Sequence, residues 1–331
     1  MLRTRFTELV GCPVPIQLAP MGGLDGVPLA SSVAEAGGLG MLPASGLPPV
    51  LLADLLDRVQ RQTSRPVGTN FLVPFLDDPE CVMVAAMKSA LVEFFYGEPD
   101  RGLVERVHAA GALAGWQVGS GDEAVAAAAA GCDLVVAQGV EAGGHVRSRI
   151  GLLPLLDAVL ETVDVPVLAA GGIGSGRAMA AVLAAGADGV RIGTRFLATD
   201  EAGIHPTYLA ALIAARAEDT VLTEAYEIGW PITAPHRVLR SSIETADTFT
   251  GEVVGEKPHP YTGEVAPIGR FEKVVPTAKT TGTIEAMSFF AGESVGEVKR
   301  MQPAAQIVRE LAGEAERLLH RWRDPDRRPV G

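Results

Sequence analysis

The residues Gly139-Val140-Glu141-Ala142-Gly143-Gly144-His145 carry the sharpest chemical signal in this chain. They follow the apolar run Leu134–Ala137 and Gln138, so they read as a loop leaving the C-terminal end of a buried strand. The glycines let the backbone turn tightly and approach a ligand where a Cβ would collide. Histidine is the side chain whose ordinary pKa lies nearest working pH, so His145 can act as a base in proton abstraction. Taken alone, a histidine in a glycine-rich loop is more often structural or incidental. The other motifs of the chain favour the chemical reading.

A second signal is Pro166-Val-Leu-Ala-Ala-Gly171-Gly172-Ile-Gly174-Ser-Gly176, followed by an alanine-rich helical run and then Gly186-Ala-Asp-Gly-Val-Arg-Ile-Gly193-Thr194-Arg195. Each half is a short apolar strand ending in glycine. Two such turns, roughly twenty residues apart, suit a phosphate held by backbone N–H groups, the task of the loops after strands seven and eight in a (β/α)8 barrel. The glycine spacing is not Gly-x-Gly-x-x-Gly and lies past mid-chain, which rejects a Rossmann fingerprint.

These motifs need a scaffold, and the chain supplies one. Apolar strand patterns at 16–19, 40–43, 67–72, 91–96, 113–118, 134–137, 167–170 and 190–192 alternate with helical patterns at 29–36, 50–62, 81–88, 102–110, 121–130, 152–162, 177–185 and 206–215. Strict alternation means a parallel sheet, and eight units are the number that closes a TIM barrel, here with a smaller C-terminal accessory region. Ala-Gly pairs at 36–37, 110–111, 130–131 and 185–186 match glycine helix ends. The expected division is a barrel over 1–217, an accessory or lid region over 218–290 and a helical segment over 291–331. Within it, 220–281 reads as partly irregular chain beside or over the barrel mouth, and 321–331 as a charged end that frays.

Composition sets further bounds. A chain of 331 residues with 47% apolar content can bury one large core. A net charge of −12 without a basic stripe argues against a nucleic-acid partner. Cys12, Cys81 and Cys132 are scattered, forming neither a disulfide framework nor a zinc site, and read as small buried residues. No metal site is expected; His205, His236 and His259 lack partners at ligand spacing and read as surface or packing residues. No signal core or membrane-length apolar run is evident, so a cytoplasmic protein without membrane attachment is expected. An apolar helix near the C-terminus would suit a homodimer contact.

Pro15-Ile-Gln-Leu-Ala-Pro-Met21, Ala36-Gly-Gly-Leu-Gly40, Val67-Gly-Thr-Asn-Phe71, Glu141-Ala-Gly-Gly-His145 and the double glycine motif to Gly193-Thr194 resemble the nitronate monooxygenases, formerly 2-nitropropane dioxygenases. The resemblance covers most of 10–215 and returns near Ala291-Gly-Glu-Ser-Val-Gly296 and Gln302-Pro-Ala-Ala305. It implies an FMN-binding TIM barrel that oxidises nitronates or nitroalkanes with O2 to carbonyl compounds and nitrite. Carried onto this chain, it implies Gly171, Gly172, Gly193 and Thr194 around the phosphate, Ala19, Pro20 and Met21 along the isoalloxazine ring, and Ala170 as a further cofactor contact. Asn70, Gln138 and Gly144 would also touch the cofactor, and His145 would be the base. For Asn70 and Met21 the simpler alternatives are a loop cap and a core residue. The sequence departs from the family after the histidine, where Val146-Arg147-Ser148-Arg149 brings two arginines that either add positive potential or face solvent.

The same motifs resemble FMN-dependent enoyl-acyl-carrier-protein reductases and NAD(P)H:quinone reductases, which reduce the flavin with nicotinamide. A non-catalytic flavin- or phosphate-binding barrel is disfavoured by His145. An IMP dehydrogenase or guanosine-phosphate reductase is disfavoured because the loop holds Gly-Gly-His where a catalytic cysteine would stand.

Overall fold

The computed structural model describes residues 2–323. Its centre is eight parallel strands, Ile16–Leu18, Gly40–Pro43, Val67–Leu72, Leu91–Phe95, Leu113–Val118, Leu134–Gln138, Val167–Ala170 and Gly189–Ile192. Each pairs with the next in sequence, and the eighth pairs with the first. The barrel closes where Leu18 N donates to Leu39 O at 2.9 Å and Leu39 N to Ile16 O at 2.8 Å. Strands covered on both faces need apolar residues at successive positions, which is why they stand out as short unbroken runs. The expected TIM barrel is therefore present, with strand ends within about two residues of the sequence reading.

Side chains on alternate strand positions fill the barrel. Gly68 and Gly115 leave room there: a Cβ at Gly68 would lie 2.4 Å from Met41 Sδ, and one at Gly115 3.0 Å from Leu134 Cδ1. Phe6, from helix Arg5–Val10, packs against Gly189 at the start of the eighth strand and closes the end opposite the loops. The surrounding helices begin on side-chain caps, such as Ser120 on Glu123 N and Ser175 on Ala178 N, both at 3.2 Å. Gly131 ends its helix at φ 101°, a left-handed conformation that only glycine adopts cheaply.

One outer helix differs from expectation. Helix Pro206–Ala214 does not complete the ring; it packs on the 3-10 turns Ile284–Ala286 and Glu293–Glu297. The C-terminal helix Ala304–Arg323 fills the eighth place, between Gly176–Ala184 and Gly26–Glu35. Gly176 permits the approach, since a Cβ there would stand 2.4 Å from Glu314 Cβ, and its N–H donates to Glu314 Oε2 at 3.0 Å. The helix's apolar stripe, Ile307, Val308, Leu311 and Ala315, is buried against the barrel, so the basis for a dimer contact on it is gone. From residue 324 onward the segment expected to fray lies outside the described residues.

The region over 220–281 is more regular than its composition suggests. Thr220–Thr223 and His236–Leu239 form an antiparallel sheet with Gly144–His145, and Val253–Pro258 pairs with Val265–Gly269 and Thr281–Gly282. These strands have two to six residues and are interrupted by proline and glycine, too short for periodicity to show. All three cysteines are buried and free, as expected. No helix among the described residues is long and apolar enough to cross a membrane.

Candidate active site

The C-terminal ends of the barrel strands and the accessory strands enclose a cavity of about 370 Å³. Ala19, Pro20, Met21, Asn70, Gln138, Gly144, His145, Gly193 and Thr194 line it, so nine of the twelve residues singled out from sequence meet there. Ala170, Gly171 and Gly172 do not reach its wall. Gly171 and Gly172 pack on the 139–142 loop instead: a Cβ on Gly171 would meet Ala142 N and Gly139 O at 3.1 Å, and one on Gly172 would meet Glu141 Cβ at 3.5 Å.

The loop that presents His145 is held from several sides. Gln138 Nε2 donates to His145 O at 3.0 Å, and His145 pairs in register with His236. Arg237 donates from Nε and Nη2 to Val140 O at 3.1 and 2.9 Å. Tyr96 donates its hydroxyl to Val146 O at 3.1 Å. Glu141 accepts from Leu152 N at 2.9 Å, capping the helix Leu152–Leu160. Gly144 makes the turn at φ 70°. Tyr96 holds φ 63° without being glycine, a strained backbone beside the site.

The imidazole of His145 sits in an aromatic box. It lies 3.9 Å from Trp230 between ring centroids at a 31° tilt, with Tyr96, His236 and Phe290 at 6.1, 5.2 and 5.6 Å. Burial, followed by the neighbouring His236 and Lys273, pushes its pKa well below the ordinary histidine value, so the ring is neutral near pH 7. His236 is itself fixed neutral. Its Nε2 accepts from Tyr226 N at 3.2 Å, which leaves the proton on Nδ1, 3.0 Å from Ala234 O.

Beneath the box lies a buried polar network that sequence reading missed. Arg191 pairs with Glu93 and donates to Gln17 and Gln117, while Asn70 Nδ2 donates to Glu93 Oε1 at 2.8 Å. Arg191, Gln117 and Asn70 line the cavity floor. A signal existed: a single Glu in Leu91–Phe95 and a single Arg in Gly189–Ile192 interrupt apolar strands, and buried charges must pair. Trp230, Lys273 and Phe290, also missed, come from segments that share no motif. Arg147 is tied to Glu123 at 2.8 Å and Glu98 at 3.3 Å and does not line the cavity. His205 caps the helix Pro206–Ala214 by accepting from Thr207 N, and His259 caps a local turn. No cluster of metal-ligating side chains occurs among the described residues.

The model of the nitronate monooxygenase family matches residues 3–81 and 77–314. The chain belongs to that family. It is 34% identical over 254 residues to a (3aS,4S,5R,7aS)-5-hydroxy-7a-methyl-1-oxo-octahydro-1H-indene-4-carboxyl-CoA dehydrogenase of Rhodococcus jostii, covering 77% of this chain and 70% of the relative. Among solved structures it resembles FabK from Thermotoga maritima, with TM-score 0.80, 30% identity and coverage of 98% and 99%. It also resembles the nitroalkane oxidase from Streptomyces ansochromogenes, with TM-score 0.74, 31% identity and coverage of 95% and 99%. The chain is an oxidoreductase of this flavin-dependent group.

The cavity fits a flavin. Its floor offers neutral amides, and Gln138 Oε1 is buried without a partner, as a group awaiting a donor such as a ring N–H would be. Gly193 keeps the wall open beside Ala19, whose Cβ would lie 3.2 Å from a Cβ at that position. No acidic side chain among the described residues lines the cavity.

Proposed function

We propose that the chain uses FMN and O2 to oxidise alkyl nitronates, or the nitroalkanes that give them, to carbonyl compounds and nitrite, with His145 as base. The observation that carries this reading is a histidine kept neutral by burial and pinned by strand pairing at the cavity wall. Bound FMN would supply the electron acceptor and the place where O2 reacts. Asn70, Gln117 and Gln138 would hold its polar edge, Ala19, Pro20 and Met21 its flank, and the backbone at Gly193 and Thr194 its phosphate. Ala170, Gly171 and Gly172 would then support the histidine loop rather than the ligand.

A nitroalkane is a carbon acid. Neutral imidazole is the form that takes its α-proton, and the depressed pKa keeps that form populated through the neutral range. Trp230, Tyr96 and Phe290 exclude water around the ring, which strengthens its interaction with the charge that develops. A substrate that arrives as the nitronate needs no base.

The test follows from that difference. His145→Asn should retain FMN and nitronate turnover while losing about 10²–10⁴-fold on neutral nitroalkanes, read as nitrite release and O2 uptake. Equal rates for mutant and wild type on both forms would remove His145 from the base role. A second reading is an FMN-dependent NAD(P)H reductase of the enoyl-acyl-carrier-protein or quinone type, kept because one relative is named a carboxyl-CoA dehydrogenase and not a nitronate oxidase. Anaerobic bleaching of the flavin by NADH or NADPH, with none by nitronate, would select it.

A further inference from the structure

Two cationic side chains line the cavity, Arg191 and Lys273. The Arg191 guanidinium is engaged by Glu93, Gln17 and Gln117. Lys273 Nζ has no carboxylate or carbonyl partner among the described residues. It rests on two rings, 3.7 Å from the Phe75 centroid and 4.9 Å from that of Trp230. Trp230 also lines the cavity, stacks on His145, and keeps a buried Nε1 without an acceptor. Two donors without acceptors therefore flank the base. Aromatic faces attract an ammonium but leave its remaining hydrogen-bonding capacity unused, and a buried donor left unmade is costly.

We propose that Lys273, assisted by Trp230 Nε1, is the anion-recognising subsite of this active site, taking the two-oxygen head of a nitronate or nitro group. The inference rests on the function proposed above and extends it by naming what holds the substrate's charge. When His145 takes the α-proton, the C–H electron pair becomes the C=N bond and one N=O pair moves onto oxygen. The substrate thereby changes from neutral to anionic while the imidazole becomes imidazolium. An ammonium at the oxygen end favours the anion over the neutral substrate, which lowers the barrier to proton loss. It equally favours binding of a preformed nitronate.

The charged groups facing Lys273 are few. Glu272, on its own segment, raises its pKa but is held by Gly269 N at 2.7 Å. His145 lies across the Trp230 ring and is neutral, as is His236 behind it. Burial prevails and brings the Lys273 ammonium down to about 8.

Propionate carries a planar two-oxygen anion of nitronate shape but cannot turn over, and propionamide is its neutral counterpart. Their binding to the FMN-loaded protein is read from perturbation of the flavin spectrum. Wild type should bind propionate more tightly at pH 7 than at pH 9.5, with propionamide unaffected by pH. Lys273→Met should weaken propionate about tenfold and leave propionamide unchanged, while Lys273→Arg should bind it equally at both pH values. Propionate binding that is independent of pH and of both substitutions would overturn the proposal. So would a Lys273→Met protein that loses FMN but keeps riboflavin, since Lys273 would then serve the cofactor phosphate. Because binding is read without turnover, failure to oxidise nitronates would sink the function proposed above and leave this result legible.

Discussion

The pair Glu93–Arg191 gives the most exacting test of how the cavity floor is built. Glu93 is fully buried and the Arg191 side chain is 4% exposed. Each carboxylate oxygen is occupied, Oε1 by Asn70 at 2.8 Å and Oε2 by Arg191 and by Gln17 at 3.3 Å. Glu93→Gln keeps the shape but removes the charge and turns one oxygen into a donor facing donors. The guanidinium stays buried without its counter-charge, which costs about 3–5 kcal/mol. Arg191→Met strands the carboxylate in the same way. The double variant strands neither, so it should lose much less than the sum of the singles, with a coupling energy of about 2–3 kcal/mol. Equilibrium urea unfolding of the four proteins closes the cycle. A Glu93→Gln protein within about 0.5 kcal/mol of wild type, or singles that simply add, would refute a desolvated ion pair and point instead to water reaching the floor.

Two further outcomes follow from the loops above that floor. At Gly143 a Cβ would stand 2.4 Å from Gly292 N and 3.0 Å from Thr194 Oγ1, the pair joined by a 3.0 Å hydrogen bond. Gly143→Ala should therefore cost about 1–3 kcal/mol in thermal unfolding and lower the flavin-to-protein ratio on purification. A variant with wild-type stability and flavin content would show that the segment around Gly292 yields freely. Lys257 is buried, donates to Gly23 O at 2.6 Å and Val275 O at 2.5 Å, and burial lowers its pKa to about 8. Below about 8 both folded and unfolded chains carry the proton; between there and the ordinary lysine value of 10.5 only the unfolded chain does, so this lysine's contribution to stability rises with pH. The urea stability of wild type relative to Lys257→Met should thus increase by about 1.4 kcal/mol per pH unit across that window, and a flat difference would contradict the buried ammonium.

Much of this was legible in the sequence, for identifiable reasons. The eight strands could be read because burial on both faces forces apolar runs, and because glycines such as Gly131 must sit where helices end left-handed. His145 could be read because its loop combines close backbone approach with one titratable ring. The eighth outer helix could not: Pro206–Ala214 and Ala304–Arg323 both have apolar stripes, and the choice between them depends on whether Gly176 admits Glu314. The His145 box was equally hidden, since Tyr96, Trp230, His236 and Phe290 lie on separate segments that meet only in the fold. Gly171 and Gly172 show the reverse case. Their glycine pattern was plain, but the close packing on the 139–142 loop that it permits was not.

The cavity draws its two sides from different parts of the chain. The floor and one flank come from the ends of barrel strands, through Ala19, Asn70, Gln117, Gln138, Arg191 and Gly193. The opposite wall comes from Tyr208, Trp230, Lys273, Val275 and Phe290. The first set is rigid, being fixed by strand pairing and the buried ion pair, and its neutral amides suit a cofactor common to the group. The second set sits on one outer helix, through Tyr208, and otherwise on loops, where substitutions change the wall without disturbing the barrel. His145 belongs to both: its chain leaves the sixth barrel strand, and its backbone pairs with His236. A side chain anchored to each side stays in place when the outer wall changes. That arrangement accounts physically for a family in which one barrel carries relatives as different as a carboxyl-CoA dehydrogenase and a nitroalkane oxidase. In this chain the wall places an ammonium on two aromatic rings and an indole N–H without an acceptor beside His145, the arrangement on which the proposed oxyanion subsite rests.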